Sequence, residues 1–456
     1  MSSKEVVDGT GSDGPSEPKR LKTTDEKEEC EREPKRLKTS HEKEVCESES
    51  GADKSDDTSE APANRLSDKN KQEQDDEKKE SLLNIGQDLS VSSASATSNA
   101  ETTGVHAEVV AEHYNAIPER GLTHRTQSRI FFMRNFNNWM KSMLINEYLV
   151  KIKDALPHGT PVKVLDMCCG KGGDLYKWKQ GVISHLICTD IADMSVQQCE
   201  SRYKDVANQA NNNRGYAKIF SAEFIAADCT KVRLREKYKD ASIQLDLVSC
   251  QFALHYSFES LPQAECMIRN ASESLKPGGY FIATIPNAND LVYQWRQADG
   301  NKFGNSVYSV EFLCDKENIP LFGAKYNFHL EGVVDCPEFL INITVLKKLA
   351  AKFGLEFLSF ERFNEFYTRC NADGKSLLAK MQAMESYPPY HEAELKGNNP
   401  DDYQHAIQYM QNKPDHRKIG TLTLAEWEAS SLYGVIAFKK MKTSWNSEGK
   451  PEYSKA

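Results

Sequence analysis

From about residue 160, short apolar runs alternate with longer amphipathic stretches, and this alternation predicts an α/β fold. Residues 162–165 read as a first strand, 185–189 as a second, 222–226 as a third and 245–249 as a fourth. A fifth, 279–284, follows a Lys-Pro-Gly-Gly turn at 276–279. The stretches 192–207 and 260–275 carry helical periodicity between them. Strands separated by helices imply right-handed crossovers and a mostly parallel, doubly wound sheet. Ligands of such sheets bind beyond the carboxyl ends of the strands, near the switch point. Residues 122–156 predict a long helix that packs Phe131, Phe132, Phe136, Trp139, Met140 and Leu144 against the sheet. Asn137, Asn138 and Lys141 emerge on another face of it. Tyr433 sits in a late apolar strand; 370–418 is polar and reads as an irregular insertion, and 446–456 as a flexible end.

Composition separates a tail from this core. Residues 1–100 hold 16 Lys and Arg, 25 Asp and Glu and no Phe, Trp or Tyr, so the formal charge of −9 resides there. Such a segment cannot bury enough surface to offset its ordering entropy, and 1–105 is expected to be a disordered acidic tail. Within it, Glu17-Pro-Lys-Arg-Leu-Lys-Thr recurs as Glu33-Pro-Lys-Arg-Leu-Lys-Thr. Basic clusters in a flexible chain suit the acidic groove of a nuclear import receptor, so the expected location is the nucleus. No run approaches the roughly 18 apolar residues of a membrane span. The 12 cysteines form no CxxC pair, which argues against a zinc site or a disulfide framework, and no metal is expected.

The first strand leads into Asp166-Met-Cys-Cys-Gly170-Lys-Gly172-Gly173-Asp174. This G-x-G-G spacing behind a carboxylate differs from the G-x-G-x-x-G cradle of a dinucleotide pyrophosphate. Asp166 would repel a phosphate and would suit a ligand bearing an ammonium and a sulfonium. Asp190 closes the second strand, placed for ribose hydroxyls, and Asp228 follows the third, placed for an adenine amino group. Three acidic residues at successive strand ends fit S-adenosylmethionine better than NAD. The plain alternatives are a helix cap at Asp166 and turn residues at Asp190 and Asp228.

Several segments resemble the eukaryotic mRNA cap guanine-N7 methyltransferases. They are Phe136-Asn-Asn-Trp-Met-Lys141, Val164 to Asp174, Cys188-Thr-Asp-Ile-Ala-Asp193, Ser249 to Glu259, Pro277 to Asn287 and Tyr326 to Phe339, in collinear order between about 110 and 440. The resemblance implies a class I S-adenosylmethionine-dependent methyltransferase fold with a helical N-terminal extension and insertions, in a catalytic domain over 106–445. It implies methyl transfer from S-adenosylmethionine to guanine N7 of 5′-capped RNA, and a small activating subunit bound at the 370–418 surface. Carried over by position, Lys141, Cys168, Gly170, Asp190, Asp228, Gln251 and Tyr256 would join Asp166 around the cofactor. Asn137, Asn138, Lys171, Lys177 and Arg202 would serve the cap and its triphosphate, and His255, Glu338 and Tyr433 would surround the guanine. Cys168 replaces the family's first loop glycine; either the backbone there is extended or the cofactor sits differently.

Guanine N7 has an exposed lone pair and no proton, so its methylation needs no general base and none is nominated. Glu338 can accept from guanine N1–H and the 2-amino group together; by itself it reads as a helix-start residue after Pro337. Two other readings remain at this point: a methyltransferase for a different substrate, and a catalytically inactive cap- or RNA-binding adaptor.

Overall fold

The structure is a computed structural model that describes residues 105–117, 122–212, 219–391 and 393–456. The basic repeats of the tail and its expected disorder lie outside the described residues. Among the described residues no helix is long and apolar enough to cross a membrane.

The five strands expected from the apolar runs form as β1 (Lys163–Met167), β2 (His185–Asp190), β3 (Ser221–Ala226), β4 (Leu245–Gln251) and β5 (Leu275–Pro286). A polar, alternating segment adds a second sheet that the apolar runs did not announce: β6 (Lys302–Gly304), β7 (Tyr308–Phe312), β8 (Lys325–Leu330) and β9 (Val334–Phe339). Then come β10 (Leu355–Arg362), the pair β11 (Glu385–Tyr387) and β12 (Ile419–Thr421), β13 (Tyr433–Lys440), and the pair β14 (Lys442–Trp445) and β15 (Pro451–Ser454).

The central sheet has the order β10-β13-β5-β4-β1-β2-β3. β3, β2, β1, β4 and β5 run parallel, while β13 is antiparallel to both β5 and β10. The chain reverses direction across the sheet between β1 and β4. That is the switch point, and it opens a crevice at the carboxyl ends of these strands. The order and the single reversed strand are those of the expected class I methyltransferase fold.

Alternation along β1 divides the core between the two faces. Val164 packs with the helix Phe131–Ala155, which buries Phe136, Trp139, Met140, Leu144 and Leu149, whereas Leu165 and Met167 face the opposite cluster with Val248, Phe281 and Ile268. Trp139 donates its indole N–H to Gly374 O at 3.1 Å, and a Cβ at Gly374 would lie 2.5 Å from that ring. A side chain at 374 would therefore push apart two helices that pack over the sheet.

Several sequence expectations change in detail. The Lys-Pro-Gly-Gly segment is an irregularity inside β5 and not a turn before it: Leu245 pairs with Leu275 and Leu247 with Tyr280, so the intervening residues bulge. The long helix is interrupted at 128–130, after Leu122–Gln127. The 370–418 stretch is not irregular throughout. It starts inside the helix Phe363–Lys380, continues through β11 and the helix Gln404–Asn412, and is tied off where β11 pairs with β12. The 446–456 segment is a hairpin arm rather than a loose end, because β15 pairs with β14, the Tyr453 ring covers Gly354 and Lys455 reaches Glu356 at 2.8 Å.

Candidate functional site

The loop after β1 begins with a strained residue. Cys168 has φ +56°, so it takes the left-handed conformation of a glycine and is not extended. Gly170 (φ +51°) and Gly172 (φ +76°) follow, and the loop ends at Asp174, which opens the helix Leu175–Gln180. This path presents the Gly170 N–H to Asp190 Oδ2 at 2.8 Å, while Ala192 N–H donates to Asp190 Oδ1 at 2.9 Å. Asp190 is thus fixed at the tip of β2. Burial raises its carboxyl pKa, and backbone N–H groups of Ala192, Gly170 and Ile191 oppose that rise.

A pocket lies over these strand ends. Lys141, Cys168, Gly170, Asp190, Asp228, Gln251 and Tyr256 all line it. Asp228 receives Thr230 N–H (2.9 Å) and Thr230 O–H (2.6 Å) on Oδ1, while its buried Oδ2 has no hydrogen-bond donor and Lys231 Nζ stands 3.6 Å away. Gln251 donates to Ser249 Oγ at 3.0 Å, and its buried Oε1 likewise accepts nothing. Buried acceptors without donors cost free energy unless a ligand supplies them. A pocket wall with two of them fits a ligand rich in N–H and O–H groups, as an adenosine is.

Asp166 does not belong to this pocket. It shares the face of β1 with Val164, and there its Oδ2 accepts the Trp178 indole N–H at 3.0 Å. Burial, and then the nearby Asp174 charge, raise its pKa well above the ordinary carboxylate value. Of the two carboxylates of this motif, the one on the pocket wall is Asp174, which was assigned no role from sequence. Asp174 Oδ1 lies 2.8 Å from Lys141 Nζ and 2.7 Å from Lys177 Nζ. Burial would raise the Asp174 carboxyl, but the two ammonium groups hold it well below its ordinary value. Lys177 also donates to Asn138 Oδ1 at 2.5 Å, so Asn138, Lys141, Asp174 and Lys177 form one network.

Behind Tyr256 lies a second buried group. Glu338 is in β9, not at a helix start, and is 3% exposed. Its Oε2 accepts from Tyr326 O–H at 2.8 Å, and its Oε1 lies 3.2 Å from His255 Nε2, although neither ring nitrogen of His255 makes an aligned hydrogen bond. Burial, and then the Glu338 charge, raise the phenol of Tyr433 well above its usual value, and the Tyr433 ring meets Phe252 edge-on at 5.0 Å. The structure therefore brings His255, Glu338 and Tyr433 together. Tyr256 joins the two groups: it lines the pocket and its ring lies 4.3 Å from that of His255, while its O–H lies 3.4 Å from Cys336 Sγ and 3.2 Å from Tyr114 O–H.

The remaining sequence-derived residues lie apart from this cluster. Asn137 Oδ1 accepts from Ser430 Oγ at 3.0 Å, and Lys171 donates to the Ile117 carbonyl at 2.7 Å. Arg202 is exposed on the helix Asp193–Asn212, where its charge acts on Arg125, and Arg125 in turn acts on Arg134. Burial first, and then these like charges, lower both Arg125 and Arg134.

A model of the mRNA (guanine-N(7))-methyltransferase domain matches residues 97–441. The mRNA cap guanine-N(7) methyltransferase of Drosophila melanogaster is 52% identical over 354 residues, which are 77% of this chain and 81% of the fly protein. This chain belongs to the mRNA (guanine-N(7))-methyltransferase family, and it is an enzyme. The Caenorhabditis elegans mRNA cap guanine-N(7) methyltransferase is 40% identical over 341 residues, 73% of this chain and 87% of its own. Among solved structures, an S-adenosylmethionine-dependent methyltransferase from Clostridium acetobutylicum shares 16% identity over 50% of this chain and 83% of its own, at a TM-score of 0.33.

In this member of the guanine-N7 methyltransferase family a helix unread from sequence, Val105–Ala116, roofs the pocket. His106 Nδ1 lies 2.8 Å from Glu259 Oε1, and Lys325 Nζ 2.8 Å from His106 Nε2. At its other end Asn115 bonds Asp193 and the Met194 N–H. The helix directly follows the acidic tail in sequence, and its weak apolar pattern gave no separate signal. The methyltransferase also gathers cysteines that are scattered in sequence, with Cys169, Cys188 and Cys199 converging beside the loop.

Proposed function

We propose that the chain transfers the methyl group of S-adenosylmethionine to N7 of the terminal guanine of a 5′ RNA cap. The observation that carries this reading is the pairing of the two groups through Tyr256. One is an adenosine-sized pocket with unfilled acceptors on Asp228 and Gln251; the other is a buried guanine-type acceptor, Glu338, held by Tyr326. S-adenosylmethionine supplies an electrophilic methyl on a sulfonium. Asp190 takes the ribose hydroxyls and Asp228 the adenine amino group. The Lys141–Asp174–Lys177 network meets the charged amino-acid end. Glu338 accepts from guanine N1–H and the 2-amino group, His255 and Tyr433 bound the base, and Arg125, Arg134 and Arg202 give the triphosphate positive neighbours. The N7 lone pair needs no proton removed, so rate comes from alignment in line with the methyl–sulfur bond and from exclusion of water under the 105–116 helix. Neither a general base nor a metal enters that step.

The test is methylation of RNA ending in GpppG, GpppA or plain triphosphate with radiolabelled S-adenosylmethionine. Label at the cap guanine N7 of both GpppG and GpppA RNA, and none on triphosphate RNA, is expected; label on triphosphate RNA or at another atom would overturn the reading. In the same proposal the two basic repeats at Glu17 and Glu33 bind an import receptor and direct the enzyme to the nucleus. The surface formed by residues 370–418 receives the activating subunit.

A further inference from the structure

Cys169, Cys188 and Cys199 come from three different elements: the loop after β1, the strand β2 and the helix Asp193–Asn212. Folding brings their sulfur atoms within 4.8 Å of one another. Cys188 and Cys199 are fully buried, and the loop closes directly onto the group, since a Cβ at Gly172 would lie 2.8 Å from Cys199 Sγ. The methyl-transfer reading gives this trio no role. We propose that Cys169, Cys188 and Cys199 form a binding site for one soft, thiolate-preferring divalent cation such as Zn²⁺ or Cd²⁺.

The distances suit such a cation. Zinc–thiolate bonds of about 2.3 Å place tetrahedral sulfur neighbours about 3.8 Å apart, so these three need close by no more than roughly an ångström. Thiolate donors without hard oxygen ligands select soft or borderline ions over Mg²⁺ or Ca²⁺. Binding breaks three S–H bonds, forms three metal–sulfur bonds and releases three protons to solvent, and no sulfur changes oxidation state. The resulting cluster carries one net negative charge. Three protein ligands leave one coordination position for a small ligand. Because only the folded chain assembles the trio, the cation stabilises the native state.

The chain has a built-in comparison. Cys168 packs instead against the cluster that buries Cys229 and Cys250. Titrating the full-length chain with Cd²⁺ alone, under reducing conditions, should give one ion per chain with a thiolate-to-metal absorption band and a higher unfolding temperature. X-ray absorption on the wild-type complex should count three sulfur neighbours. Cys199→Ser and Cys188→Ser should each abolish the band and the thermal shift, whereas Cys250→Ser and the double change Cys30→Ser with Cys46→Ser should retain both. A count of two sulfurs or fewer, or a band that follows Cys250 or the tail cysteines, overturns the proposal. The wild-type sulfur count decides it even where a serine variant fails to fold.

Discussion

The imidazole Nε2 of His255 lies 3.2 Å from Glu338 Oε1, and the two side chains are 1% and 3% exposed. They come from elements far apart in sequence, the turn after β4 and the strand β9, and they meet because β9 packs against that turn. With Tyr326 donating to the other oxygen, the Glu338 carboxylate is held in one orientation before substrate arrives. Such an acceptor can discriminate between bases because it is already desolvated. Replacing Glu338 by Gln keeps the volume and turns one acceptor into a donor facing the guanine N–H groups. The kcat/KM on GpppG RNA should fall on the order of 100-fold, as expected for losing hydrogen bonds to a charged group. Calorimetric affinity for S-adenosylmethionine should stay within about twofold. A loss in kcat/KM below about threefold would remove Glu338 from the guanine contacts.

The second prediction concerns the acceptors left open on the pocket wall. In Asp228→Asn the bonds from Thr230 can persist on Oδ1, while the position of Oδ2 presents an amide N–H toward the ligand. The dissociation constant for S-adenosylmethionine should rise about 10- to 100-fold, with little change in thermal midpoint. Isothermal titration alongside thermal melting separates the two quantities. Equal losses of affinity and stability would make Asp228 a turn-forming residue only.

Cys168 yields a third prediction, because the structure resolves the choice that its sequence posed. The backbone keeps the left-handed conformation that glycine would adopt, at φ +56°, in spite of the side chain. Cys168→Gly should therefore leave cofactor affinity within about threefold, since the loop path does not change. Cys168→Val should destabilise the fold by about 2 kcal/mol, because a β-branched residue is strongly disfavoured there. Urea denaturation of both variants checks this. Equal stability of the glycine and valine variants would mean that the loop adopts another path in solution.

The parallel strands were legible because strands buried on both faces read as continuous apolar runs, as in β1, β2 and β4. The same rule hides β7 and β8, which cover one face only. Tyr308, Val310 and Phe312, like Tyr326, Phe328 and Leu330, alternate with more exposed residues. A period-two count over 308–312 and 325–330 would have found them. Asp190 and Asp228 could be placed from sequence because each ends or follows a strand on the crevice side, whereas Gln251 came only from the family resemblance. Asp166 could not, because one residue of register along β1 decides between the pocket and Trp178. Asp174 and the cysteine trio were beyond that reading for a related reason: their partners, Lys141 and Cys199, come from helices whose rotation about the sheet no spacing rule specifies.

Glu426 supplies the last prediction, and it concerns stability. This residue is 1% exposed in the helix Leu424–Ser431, where Oε2 accepts Thr423 N–H at 3.0 Å and Thr423 O–H at 2.9 Å, and Oε1 lies 3.4 Å from Met133 N. Burial pushes its carboxyl up to about 7, against the lowering effect of those donors, while the nearby Glu385 charge adds to the rise. The folded state therefore binds this proton more tightly than the unfolded chain does. The stability contributed is fully present below the unfolded value of 4.5 and is lost as pH rises through about 7. A shift of this size corresponds to about 3 kcal/mol across that window. Glu426→Gln keeps a neutral side chain at every pH, so the variant should lack this part of the decline. Urea denaturation of both proteins at pH 5 and pH 8 measures the difference. Because Glu426 ties its helix to the start of the helix that carries Asn138 and Lys141, the same window should also show in the pH profile of cofactor affinity in the wild type. Parallel stability curves for the two proteins would mean that Glu426 is already ionised in the fold below pH 5.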